Sequence, residues 1–95
     1  MRYIILPRAQ AEMRQIWSFS FSHWGKAQAD RYLGSIEARF AAIAENPKMG
    51  RPYGKRRSGH FKALVGSHAV IYQVSSEEIV IVRVLHQRMK TPRRL

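Results

Sequence analysis

The sequence predicts an α+β fold of order β-α-α-β-β-β, with a helical hairpin packed on a mainly antiparallel four-stranded sheet. Two stretches in the first half repeat apolar residues at three- and four-residue steps, the period of a helix with one buried face. The second half holds short Val-, Ile- and Tyr-rich runs separated by turn formers, the pattern of hairpin-linked strands. Only one strand candidate precedes a helix, which excludes a doubly wound sheet. Helices laid on one sheet face bury both apolar surfaces.

Residues 2–6 read as a short strand, stopped at Pro7, which lacks an N–H donor. From Arg8, the positions Ala9, Met13, Ile16, Trp17 and Phe21 form one helical face. Ser22-His23-Trp24-Gly25 breaks it, Gly25 being free to take a positive φ. A second helix follows on Ala29, Tyr32, Leu33, Ile36, Phe40, Ile43 and Ala44, and Asn46-Pro47 ends it. So short a break makes the two helices antiparallel neighbours. Residues 46–59 carry Gly50, Gly54, Gly59, Pro47, Pro52 and the cations Lys48, Arg51, Lys55, Arg56 and Arg57, and read as a basic loop. Three strand candidates come next, at 61–65, 68–74 and 78–85.

Ninety-five residues make one domain, 1–95, with a basic tail at 87–95. The chain has no cysteine, which removes disulfides and thiolate zinc sites. The apolar start is too short for a signal-peptide core, and no run approaches a membrane span, so a soluble cytoplasmic protein is expected. Charge is the strongest compositional fact. Seventeen Lys and Arg stand against six Asp and Glu, a formal +11. Up to Pro47 the net is +2, and from Lys48 onward it is +9. Such self-repulsion is relieved by an anionic partner. An acidic protein or nucleic acid fits; a membrane fits worst, because the cations do not line an amphipathic helix.

Four histidines, His23, His60, His68 and His86, are the side chains that titrate near neutrality when unperturbed. No metal-like spacing links them, and neither a cofactor nor a metal site is expected. His23 and His68 read as partly buried, hydrogen-bonded side chains. His86 stands apart, at the end of a strand and beside Gln87 and Arg88. A ribonuclease needs a base, an acid and cations for the phosphorane charge. Lys62, Arg83, Arg88 and His86 supply those types. Arg83 and His86 differ in strand parity, however, and so should face opposite sides of the sheet. Ser58 and Ser67 are turn residues by context, and Ser67-His68 has no acidic residue nearby to orient the imidazole. No catalytic constellation is therefore expected. Trp17 and Phe21 share a helical face and are assigned to the core. Phe19 lies well off that face, and an exposed Phe there marks a protein-binding surface.

Several features together resemble a known family: the order β-α-α-β-β-β; Trp24-Gly25 followed by Ala27-Gln28-Ala29 and Tyr32; Asn46-Pro47 to Gly50-Arg51; Gly66-Ser67-His68 before Ile71-Tyr72; and Leu85-His86-Gln87-Arg88-Met89. The chain resembles the ParE toxins of the RelE/ParE superfamily, from type II toxin–antitoxin modules. The resemblance implies a basic toxin neutralised by an acidic, ParD-like antitoxin. ParE-type members poison DNA gyrase, and RelE-type members cleave mRNA on the ribosome. It implies target contacts at Arg56, Arg57, His86, Gln87, Arg88, Met89, Arg93 and Arg94. Antitoxin contacts are expected at Phe19, Trp24, Tyr32, Arg51 and Arg83. A RelE-like ribonuclease using Lys62, Arg83 and His86 is the alternative. One departure is Lys90, where ParE-like sequences often carry Asp directly after the Met.

Overall fold

The computed structural model describes residues 1–54 and 59–88. Strand β1 (Arg2–Ile5) leads straight into helix α1 (Pro7–Trp24). Pro7 at the first helical turn loses nothing, since an N–H there has no intrahelical partner. The Leu6 N–H instead continues the sheet by donating to the Ile81 carbonyl at 3.0 Å. Helix α1 runs through Ser22 and His23 and stops only at Gly25, whose φ of 84° reverses the chain in a single residue. Helix α2 (Lys26–Glu45) then runs back. A one-turn helix (Pro47–Met49), β2 (Arg51–Tyr53), β3 (His60–Val65), β4 (His68–Val74) and β5 (Glu78–His86) complete the described chain.

The sheet has five strands, in the order β1-β5-β4-β3-β2. The added strand lies inside the segment expected to be loop. Arg51, Pro52 and Tyr53 pair antiparallel with Lys62, Phe61 and His60. A proline is tolerated on such an edge strand, where its missing N–H leaves no ladder bond unmade. β1 pairs parallel with its neighbour β5, and the other pairings are antiparallel.

The core lies between α2 and the sheet. Leu33, Ile36, Phe40 and Ile43 pack against Ala63, Val65, Val70, Tyr72, Ile79, Ile81 and Val84. Helix α1 contributes less: Ala9 is buried and Met13, Ile16 and Trp17 are partly so. Phe21 departs from expectation. It is 48% exposed and stacks on Trp17 with ring centroids 5.1 Å apart. The core ends at Trp17, so Phe21, one turn further on, covers only its neighbour. Phe19 is 57% exposed, as its place off the apolar face requires.

Candidate functional site

The sheet end nearest the helical turn is where the candidate residues meet. A cleft of about 570 Å³ opens there between the hairpin and strands β4 and β5. Phe19, Trp24, Ile16 and Val84 supply its apolar wall, and Tyr32, Ser67, His68 and His86 its polar end. Trp24 is 63% exposed at its rim. Phe19, Trp24 and Tyr32, three of the expected antitoxin contacts, are thus brought together.

Arg83, also expected as an antitoxin contact, does not join them in this cleft. It is only 5% exposed, and its guanidinium is bound to Glu12 of α1. Nε lies 3.0 Å from both carboxylate oxygens and Nη2 2.8 Å from Oε2, while the Val84 N–H donates to Oε1 at 3.0 Å. A register shift pairs Ile71 with Arg83 but Tyr72 with Ile81, leaving Val82 as an extra residue. Arg83 follows this bulge, and its guanidinium reaches Glu12 in the helix layer. His86, on the helix side with Val84, lines the same cleft as Glu12.

Glu12 was not singled out from the sequence. Its signal was an acidic residue beside Ala9, Met13 and Ile16 on an inward helical face. A buried carboxylate needs a partner, and Arg83 is the cation the strand delivers.

Tyr32 docks beneath the β3–β4 turn. Its hydroxyl accepts the Ser67 N–H at 3.0 Å and lies 2.5 Å from His68 Nδ1. Gly66, at φ 54°, leaves room for that ring; a Cβ there would sit 2.7 Å from Tyr32 Cε1. Gln87 closes the turn from the other side, its N–H donating to the Ser67 carbonyl and its amide to the Gly66 carbonyl, both at 2.8 Å. His68 pairs across the strands with His86, their rings 5.2 Å apart. The Arg88 N–H donates to His86 Nδ1 at 3.1 Å. His23 is exposed rather than partly buried, though it does bond the Phe19 carbonyl at 2.8 Å and stacks on the Phe19 ring.

Burial, and secondarily His86, holds the His68 imidazole below its usual pKa. The folded state therefore binds this proton less readily than the unfolded chain. Stability is greatest above the ordinary histidine range and falls as pH drops from about 6.5 through the lower folded value. The expected result is that His68→Gln flattens the slope of unfolding free energy against pH in that window. Urea melts between about pH 7 and pH 5 measure it.

A second, smaller cleft of about 180 Å³ is lined by strand and turn residues alone. Lys62, Leu64, Ala69, Ile71 and Leu85 alternate with the core residues, so it lies on the face away from the helices. Lys62 and His86 both line it, whereas Arg83 does not. Lys62 sits 5.3 Å from the Tyr53 ring centroid and directly opposite exposed Arg51. Like charges facing each other across a strand pair are unfavourable until an anion relieves them. Arg56, Arg57, Met89, Lys90, Arg93 and Arg94 lie outside the described residues. Among those described, no group of three His, Cys, Asp or Glu is arranged to hold a metal ion, and no helix is long and apolar enough to cross a membrane.

Comparison with known proteins places this architecture. The chain is 40% identical over 95 residues to Toxin ParE1 of Mycobacterium tuberculosis (strain ATCC 25618 / H37Rv), covering 99% of this chain and 97% of the relative. Its fold is similar to a structure of the chromosomal ParDE toxin–antitoxin system from P. aeruginosa, with a TM-score of 0.78 at 19% identity, covering 90% of this chain and 95% of that one. It is also similar to the toxin–antitoxin complex RelBE2 from Mycobacterium tuberculosis, with a TM-score of 0.67 at 21% identity, covering 90% and 96%. A family model described as the ParE toxin of the type II toxin–antitoxin system, parDE, matches residues 3–91, and with that span and that relative the chain belongs to the ParE toxin family.

Proposed function

We propose that this ParE-family toxin arrests growth by binding DNA gyrase rather than by catalysing a reaction, and that an acidic antitoxin holds it inactive. The observation that carries the choice between binding and catalysis is the Glu12–Arg83 pair. The cation a ribonuclease would use on this strand is bound bidentately by a carboxylate and removed from solvent. What remains accessible at the sheet end is a recognition surface of half-buried His86 and exposed Gln87 and Arg88, leading into the basic tail. The antitoxin reading draws on the apolar hairpin cleft, the +11 charge and the Arg51–Lys62 repulsion, each of which favours an acidic, partly apolar partner.

Purified protein is expected to inhibit gyrase supercoiling, and an acidic protein encoded beside it to restore the reaction. Undiminished supercoiling together with ribosome-dependent mRNA cleavage would overturn the proposal. The ribonuclease alternative has one observation in its favour, the shared lining of the second cleft by Lys62 and His86. It requires that Lys62→Ala abolish cleavage.

A further inference from the structure

We propose that His68 and His86 form a carboxylate-reading pair, which receives an acidic side chain carried on an apolar segment of a protein partner seated in the hairpin cleft. The proposal rests on the toxin–antitoxin reading above and adds to it which group is recognised and how proton concentration controls it.

The hydrogen bonds fix the presentation of His86 and permit the same one for His68. His86 Nδ1 accepts the Arg88 N–H, so in the neutral ring the proton is on Nε2. The Tyr32 oxygen accepts the Ser67 N–H, and in the arrangement proposed its own hydrogen is donated to His68 Nδ1. The proton of His68 is then on Nε2 as well. Two Nε2–H donors therefore stand on adjacent strands, on rings 5.2 Å apart, at the polar end of an otherwise apolar cleft. Two donors with no acceptor among the described residues suit an anion, and a carboxylate offers both oxygens.

The surrounding charges point the same way. From α1 the cleft receives Glu12, already bound by Arg83 and the Val84 N–H; His23, at the hairpin end, stacks on Phe19 and lies tilted against Trp24. From α2 it receives Tyr32 and the neutral Gln28. From β5 come Arg83, bound to Glu12, and His86 itself; β3 offers Lys62 on the far side of His86. Arg88 follows, exposed. No uncommitted carboxylate lines the cleft among the described residues. The apolar wall of Ile16, Phe19, Trp24 and Val84 then sets the rest of the ligand, an apolar segment rather than a bare anion.

The proton linkage follows. Burial and the neighbouring His86 disfavour charge on His68 in the free protein, and a carboxylate against Nε2 favours it. Binding takes up a proton, so affinity rises as pH falls through the histidine range.

The test uses the full chain, with the four histidine Cε1–H signals followed by NMR between about pH 5 and pH 8. The probes are octanoate, octanol, and two Ala/Leu amphipathic helical peptides differing only in one Glu or Gln. The expected result is at least tenfold tighter binding of the Glu peptide at the acid end, the factor corresponding to about one pKa unit of coupling. The His68 or His86 midpoint rises with it, while the Gln peptide shows neither effect. His68→Gln and His86→Asn, each checked by thermal melting, should remove the pH dependence. If octanoate raises the midpoints but the two peptides bind alike, the site takes a small carboxylate and the partner-segment proposal falls. If neither octanoate nor the Glu peptide moves either midpoint, the pair is not a carboxylate site. Gyrase inhibition is scored separately, so the toxin reading can survive either failure.

Discussion

Glu12→Ala is expected to destabilise the fold by about 3–5 kcal/mol, because it leaves the Arg83 guanidinium buried without its counter-charge. The geometry makes the loss severe: three guanidinium contacts and the Val84 N–H all converge on one carboxylate. For a domain of this size, each kcal/mol lowers Tm by about 4–8 °C, so calorimetry should record a drop of more than ten degrees. The paired substitution Glu12→Leu with Arg83→Met should recover most of it, since a buried ion pair replaced by apolar side chains is often neutral or better. If Glu12→Ala melts like the parent chain, the pair is solvated and Arg83 returns as a candidate contact residue. The double variant also bears on function. A binding toxin should retain gyrase inhibition when Arg83 is replaced in a stable background.

Tyr72→Phe should also weaken the fold, by about 1–3 kcal/mol, through the loss of one hydroxyl that serves two backbone groups. That hydroxyl donates to the Pro47 carbonyl at 2.8 Å and accepts the Gly50 N–H at 2.9 Å. Burial pushes its pKa up, so it stays protonated as a donor. The same contact makes Gly50 a matter of space. Its φ is an ordinary −81°, but an added Cβ would lie 2.8 Å from Tyr72 Cε1. Gly50→Ala should therefore produce a loss of similar size by overpacking. Urea melts give the energies, and faster exchange of the Gly50 amide in Tyr72→Phe would locate the damage. A Tyr72→Phe protein with unchanged stability and exchange would show that the one-turn helix holds itself.

Both contacts bear on what the sequence could reveal. The helices were legible because Leu33, Ile36, Phe40 and Ile43 repeat at the helical period, and β4 and β5 because their runs are apolar and β-branched. Strand β2 was not. Arg-Pro-Tyr has no alternation to detect and becomes a strand only because β3 offers an unpaired edge. Trp17 and Phe21 share a face on the helical wheel, but a wheel carries no information on where the opposing sheet ends. The site was partly legible. Phe19, Trp24, Tyr32 and His86 converge on one cleft, whereas Arg83 turns to Glu12, a partner 71 residues away that no local pattern announces.

The sequence by itself determined the two-layer α+β architecture, the basic second half and the family resemblance. These depend on local period, composition and motif order, which survive without knowledge of the neighbours. The tertiary structure decided which polar groups meet. Glu12 and Arg83 are 71 residues apart, Tyr32 and His68 are 36 apart, and His68 faces His86 only through the register of two strands. Pairings of that kind follow from desolvation and packing, which join residues whose separation along the chain leaves no local pattern.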